Sequence, residues 1–299
     1  MTVLTHSFKL PIDYQVDEFL SFHRRDNQQL AERVSANTLE KAFIWQGHPA
    51  CLTVHFNAAQ VQAELQLDTQ QAAAVNPLNS WPNWLAYFLG IQQPVEAFYQ
   101  RFQQHPELGP LLRQQPGLRV AQTSSPFEAI SWAIIGQQIS VAAALNVRRR
   151  FIELAGVPHA SGLFCYPDAQ RVATLSIEEL RSVGLSHKKA QAIAHISLLL
   201  NNRSLCFPEQ VNTDNVEPLR AQLLAIPGVG PWTVNYTLMR GFAWLDGSLH
   251  GDAAVRRYLQ VLLQQEHISP KQTEQWLAQF APWRALAAAH LWHSQGFSG

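Results

Sequence analysis

The chain has no surplus of charge of either sign: its 299 residues carry 22 Lys and Arg against 22 Asp and Glu, a formal net charge of zero. Bulk electrostatic coating of nucleic acid or of an anionic membrane is thereby excluded, while a local basic face is not. Charge is scarce altogether, at 15% of the residues against a typical figure of about 25%, and the apolar set reaches 47%. Such a chain folds around a core and is not disordered. Cysteine is rarer still. Cys51, Cys165 and Cys206 lie far apart, no pair has zinc-knuckle or redox spacing, and a reducing compartment, the cytoplasm, is the natural expectation. Long apolar runs are missing too, and the N-terminus MTVLTHSFKLPIDYQ has no basic start followed by an apolar core. Neither a membrane span nor a leader segment is expected.

What is present divides into two regimes, in keeping with a length prior of about two domains. From Ala42 to Trp45 and from Cys51 to Phe56 the residues are β-prone, and Val61, Ala63, Leu65 and Leu67 alternate with Gln62, Glu64 and Gln66. That period of two predicts antiparallel strands with one wet face. Val16 to Val34 has helix-compatible apolar spacing, and beyond about residue 84 the period is helical to the end, punctuated by Pro106, Gly109, Pro110, Pro116 and Gly117. The expected class is α+β, with a small antiparallel-sheet domain over 1–100, a boundary in the region 80 to 110, and an all-helical domain over 101–299.

Several helix ends are written in side-chain chemistry. Ser125, Pro126, Phe127 and Glu128 predict a capping box with proline at the first helical position, leading into a helix that ends near Gly136. Ser176 with Glu179 repeats the box, and Gly184 is placed to close that helix. Asn215 to Ala225 supplies another helix, followed at once by the hairpin segment 226–232, Ile-Pro-Gly-Val-Gly-Pro-Trp. Gly228 and Gly230 allow positive φ and close backbone approach, and Pro231 can open the next helix. A helix N-terminus with outward amides suits a DNA phosphate, although a bare PGVG is as readily an ordinary turn between packed helices.

The flanking residues decide between these. LLAIPGVGPWTVNY resembles the helix-hairpin-helix of base-excision DNA glycosylases, and GSLHGDAAVRRYL puts Asp252 one helix and one loop beyond it, where that family carries its catalytic aspartate. Within the superfamily the chain is most similar to the bacterial enzymes for alkylated bases, whose final helix FAPWRALAAAHLWHSQGF resembles and whose DNA-wedge region AIIGQQISVAAA also resembles. The resemblance spans roughly 120 to 297 and is weaker before it. It implies a cytosolic, monomeric enzyme acting on double-stranded DNA that contains damaged bases, cleaving the N-glycosidic bond of alkylated purines such as 3-methyladenine or 7-methylguanine. Deaminated or other damaged bases are the alternative substrates, and a noncatalytic hairpin DNA-binding module the remaining reading.

The resemblance also implies roles. Asp252 is the catalytic carboxylate by its position after the hairpin, whereas as an isolated residue it reads first as the N-cap of a helix starting at Ala253. Trp232, Tyr236 and Trp292 match the base-pocket aromatics, and Phe22 offers a looser match from the N-terminal part. Rings suit a flipped, cationic base, since a cation–π contact is worth about 0.5–2 kcal/mol. Gly228 and Gly230 would meet the DNA backbone, and Gln137, Gln138 and Ile139 the DNA stack. The family's wedge is a leucine after a Gly-Gln pair. Here Gln138 stands in that place, so either Gln138 or Ile139 fills the gap. Bifunctional relatives have a lysine where this chain has Trp232, which implies no lyase activity. No cysteine follows Cys206, so the iron–sulfur cluster of some relatives is not expected, nor any other metal, although a monovalent cation on the hairpin carbonyls is a family expectation. Arg148, Arg149, Arg150, Arg240, Arg256, Arg257 and Arg284 are the basic residues expected near DNA, with a charge run ordinarily read as a solvated face.

Overall fold

A computed structural model describes residues 2–57, 59–68 and 81–294. The last residues of the family resemblance, 295–297, lie outside them. Strand β1 (Thr2–Lys9) is followed by helix α1 (Val16–His23), then β2 (Glu32–Ser35), β3 (Thr38–Trp45), β4 (His48–Asn57) and β5 (Gln60–Leu67). The strands form one antiparallel sheet in the order β1-β5-β4-β3-β2. Between β3 and β4 the chain reverses through Gln46 and Gly47, both at positive φ, which matches the twist of a two-residue hairpin turn. In β5 the alternating Val61, Ala63, Leu65 and Leu67 are buried as the period of two requires.

Two parts of the sheet differ from expectation. The helix expected over 16–34 ends at His23. Asp26 then caps the amides of Gln28 and Leu30, Gln29 takes φ +54°, and Val34 pairs with Leu39 in β2–β3. Strand β1 was not among the expected strands, and it carries only Leu4 and Phe8 as inward apolar residues against β5. A weak hydrophobic signal of this kind is what an edge strand gives.

The rest is helical: α2 (Trp81–Phe88), α3 (Val95–Phe102), α4 (Leu108–Gln114), α5 (Pro126–Gly136), α6 (Val141–Ala155), a small ribbon of β6 (Val157–Pro158) and β7 (Phe164–Cys165), then α7 (Ala169–Val172), α8 (Ile177–Ser182), α9 (His187–Asn201), α10 (Val216–Leu224), α11 (Pro231–Phe242), α12 (Ala253–Leu263), α13 (Pro270–Ala278) and α14 (Arg284–His293). One core joins the sheet, α1 and α2 to the central α5, α6 and α9. A second gathers α3 and α4 with α12 to α14. Residue 100 lies inside α3, whose Phe98 and Phe102 belong to the second core, so core membership changes between Leu89 and Val95. The two halves are also stitched along the sheet: Tyr166 N–H donates to the Ala42 carbonyl, and Leu163 and Cys165 cover Ala42 and Cys51.

The expected helix ends fall where the side chains put them. Ser176 and Glu179 complete a reciprocal box, and Gly184 follows α8 at φ +100°. At α5 only half the box forms. Ser125 Oγ accepts from Glu128 N–H at 3.1 Å, but the Glu128 carboxylate turns inward to Ser124 and to buried cations.

Those cations define an ion cluster between the halves. Lys41 lies on the inward face of β3 with Leu39 and Phe43, 1% exposed, and pairs with both Glu32 of β2 and Glu128 of α5. Arg148 of α6 reaches the same carboxylates at 3.0 and 3.1 Å, and His23 Nδ1 lies 3.4 Å from Glu32. Burial pushes both carboxylates up, but Lys41 and Arg148 outweigh it and hold Glu32 well below, and Glu128 below, the ordinary range. Burial pushes His23 down, so it stays neutral and the cluster balances two anions with two cations. Arg149 pairs with Asp26 at 2.5 Å and Arg284 with Asp246 at 2.8 Å. The run Arg148 to Arg150 is therefore not a solvated face, since its first member is buried and its second is paired across the halves.

Candidate active site

The site is built where α11, α12 and α14 converge. Residue 230 is the N-cap of α11 without a side-chain cap, and Pro231 stands at the first helical position. Of the two hairpin glycines only Gly228 is left-handed, at φ +88°, and an added Cβ there would press on Ala192 at 3.2 Å. Gly230 is extended and meets nothing within 4 Å, so its face is open to an approaching backbone.

At the second position of α11, Trp232 presents its indole N–H to Asp252 Oδ2 at 2.8 Å. Trp292 of α14 donates to Oδ1 at 3.3 Å, and the Val255 amide donates to the same oxygen at 2.9 Å. Asp252 is thus both the N-cap of α12 and a carboxylate oriented by two indoles. The N-cap reading of this residue is therefore met, with Oδ1 capping α12 and Oδ2 accepting from Trp232.

Trp232 and Tyr236, one helical turn apart, lie with ring centroids 5.3 Å apart. The Tyr236 hydroxyl accepts from Trp132 Nε1 at 3.0 Å. Phe22 enters from α1, 5% exposed, and joins this group through Arg240, whose guanidinium carbon is 4.4 Å from the Phe22 ring centroid, 5.9 Å from that of Tyr236 and 5.8 Å from that of Trp292. Arg25 stacks on Phe22 at 3.8 Å. The four expected aromatics are therefore linked pairwise, Trp232 to Tyr236 by ring contact, Trp232 and Trp292 through Asp252, and Phe22, Tyr236 and Trp292 through Arg240. The sequence did carry a signal for Arg240, since 232, 236 and 240 share one helix face at steps of four. Neither Arg240 nor Arg284 is the exposed phosphate ligand that a basic side chain suggests.

The turn after α5 is tied to the hairpin. Gln137 Nε2 donates to the Gly228 carbonyl at 3.0 Å and to Thr233 Oγ1 at 2.9 Å, and Lys189 Nζ donates to the carbonyls of Ile135 and Gln137 at 2.9 and 2.7 Å. The Gln137 side chain is thus engaged inside the protein. Beyond it Gln138 is exposed at φ +57°, and Ile139 projects 40% exposed. Among the described residues no group of three His, Cys, Asp or Glu is placed to hold a metal. A monovalent cation at the hairpin would share the Ile226 and Gly228 carbonyls with their bonds to Val229 N–H and Gln137.

The hairpin thus opens the helix that carries Trp232 and Tyr236, and the Asp252 carboxylate is held beyond it by Trp232, Trp292 and the Val255 amide. The chain belongs to the HhH-GPD superfamily of base excision DNA repair proteins, whose model matches residues 131–282, and residues 4–125 match the AlkA N-terminal domain. It is 30% identical over 192 residues to DNA-3-methyladenine glycosylase 2 of Escherichia coli, covering 64% of this chain and 65% of that protein's own length. It is 25% identical over 228 residues to a DNA-3-methyladenine glycosylase of Bacillus subtilis, covering 72% and 74%. In fold it is similar to a 3-methyladenine DNA glycosylase from Archaeoglobus fulgidus, with TM-score 0.75 at 21% identity over 96% of this chain and 98% of that one. An 8-oxoguanine glycosylase/lyase from Clostridium acetobutylicum shares the fold with TM-score 0.72 at 12% identity, over 96% and 95% of the two chains. Fold alone therefore does not separate glycosylase from lyase.

Proposed function

We propose that the protein is a monofunctional DNA glycosylase that flips alkylated purines out of duplex DNA and hydrolyses their N-glycosidic bond, leaving an abasic site. The observation that carries this is the Asp252 carboxylate, fixed by three N–H donors, two of them indoles, one helix and one loop beyond the hairpin. As the base departs, positive charge grows on the deoxyribose, and a pre-oriented anion stabilises it without reorganisation. The same carboxylate can orient the water that captures the sugar. An alkylated purine that already bears positive charge leaves readily, so the reaction does not demand a strong general acid.

Hairpin amides and the open face at Gly230 support a phosphate contact, and Ile139, held out by the positive-φ Gln138, supports an apolar wedge into the stack left by the flipped nucleotide. Trp232 in place of a lysine, and Lys189 held by two carbonyls, support hydrolysis over Schiff-base chemistry. The enzyme works as a monomer in the cytoplasm, in keeping with its three free cysteines. Among the described residues no helix is long and apolar enough to cross a membrane. The test is chromatographic identification of bases released from methylated duplex DNA. Release of methylated purines with no borohydride-trapped adduct is expected. Efficient trapping would overturn the monofunctional reading, and release of no base would overturn the glycosylase reading.

A further inference from the structure

Asn235 lies three residues beyond Trp232 in α11 and is only 5% exposed. Asparagine is a poor helix former, and a buried amide is costly unless both its ends are bonded, so its place here calls for a reason beyond packing. Both ends are bonded. Oδ1 accepts from Arg220 Nη1 of α10, and Nδ2 donates to the Ser248 carbonyl at 2.6 Å. A guanidinium only donates and a carbonyl only accepts, so these partners fix which way the amide points.

The two bonds join three elements that base release needs in register. Helix α10 runs into the hairpin and α11 leaves it, so Arg220 and Asn235 clasp the two arms of the segment assigned above to the DNA backbone. Ser248 opens the short loop to Asp252. Its carbonyl is held by Asn235, the Leu249 carbonyl accepts from the Asp252 amide at 2.9 Å, and Asp252 then caps α12. Gly247, just before this loop, packs so closely on α11 that an added Cβ would stand 3.2 Å from Asn235 Cβ and 3.3 Å from its carbonyl oxygen. The loop is therefore seated on Asn235 itself. Trp232 holds the tip of the carboxylate, and Asn235 holds the backbone four residues before it.

We propose that Asn235 is a positioning residue for Asp252: it carries the placement of the hairpin on DNA to the catalytic loop, and so sets where the carboxylate stands relative to the deoxyribose of a bound lesion. Being buried, it acts through Ser248 and not by touching substrate. This rests on the glycosylase reading given above, in which the charge of Asp252 drives base release. Displacing a catalytic group by about 1 Å can cost about 10²-fold in rate, which is the scale on which a loosened loop is felt.

The experiment uses the full-length protein. Single-turnover release of methylated purines from duplex DNA treated with dimethyl sulfate, and affinity for a duplex carrying a reduced abasic site, are measured for wild type, Asn235→Leu and Arg220→Met. Each substitution is also combined with Asp252→Asn. Asn235→Leu keeps the side-chain volume, removes both bonds, and is expected to slow release by about 10- to 100-fold while affinity changes by less than about twofold. Arg220→Met, at a side chain 20% exposed, leaves the amide free to turn and slows release in the same sense by less, but by more than about twofold. In the Asp252→Asn background either substitution costs less than about twofold, because no charge is left to aim. A merely structural role lowers the urea midpoint without slowing the folded protein, or weakens binding and release together. If Asn235→Leu does not fold, Arg220→Met decides the matter. Release within about twofold of wild type in the folded variants, or losses that add fully to that of Asp252→Asn, overturn the proposal while leaving the glycosylase reading intact. A wild type that releases no base fails at the earlier step and takes this proposal with it.

Discussion

Replacing Trp232 by phenylalanine removes one hydrogen bond and little else. The ring that lies 5.3 Å from Tyr236 is largely kept, while the 2.8 Å bond from Nε1 to Asp252 Oδ2 is lost. A hydrogen bond to a charged group contributes about 1.5–3 kcal/mol. Two donors remain on the carboxylate, from Val255 and Trp292, so the low end applies, about 1.5 kcal/mol. That corresponds to about a tenfold fall in the rate of base release under single-turnover conditions, with the affinity for lesion DNA little changed because the stacking surface survives. A double-mutant cycle sharpens the test. If Trp232 acts by aiming the charge of Asp252, the substitution has almost no further effect once Asp252→Asn has removed that charge. Additive losses in the double variant, or a Trp232→Phe rate within twofold of wild type, would refute the reasoning.

Three further outcomes are expected. Lys41→Met leaves Glu32 and Glu128 facing each other with only Arg148 between them, and should destabilise the fold by about 3–5 kcal/mol in urea titration, partly recovered by adding Glu32→Gln. Burial holds His23 below its usual pKa and pushes His290, beside the Gln115 amide at 2.8 Å, down to about 3. Both stay neutral in the fold and charge on unfolding, so stability is complete above about pH 6.5 and is lost as pH falls below it, by up to about 1.4 kcal/mol per pH unit for each histidine. His290→Gln should flatten that slope, and an unchanged urea midpoint between pH 7.5 and 5 in wild type would contradict it. Ile139→Ala should weaken binding to lesion duplex and slow release from duplex DNA, with release from single strands nearly unaffected, since an apolar wedge acts only on a stack.

The features legible in the sequence were those whose cause is local. Ser176, Gly184 and Pro231 set helix ends through their own backbone and side-chain preferences, and the hairpin declared itself through two glycines between prolines. Asp252 and the aromatics were placed by the family pattern, and the structure links them pairwise. The illegible parts depend on partners far along the chain. Nothing near Lys41 announces that it lies buried, because its anions come from Glu32 on the neighbouring strand and Glu128 on a helix 87 residues away. Arg240 looked like a surface cation for the same reason. Its surroundings are completed by Phe22 of α1 and by Arg25 just beyond that helix, which no periodicity in α11 reveals. Val34 reads as the tail of a helix until the turn built by Asp26 is seen.

The central claim is that the charge of Asp252 drives base release. Asp252→Asn keeps a side chain well suited to capping α12, so folding and lesion binding should persist. Single-turnover release of methylated purines from duplex DNA should fall by about 10²- to 10³-fold relative to wild type. Release within about fivefold of wild type by a folded Asp252→Asn protein would contradict the account, since a lost transition-state charge contact costs far more than that.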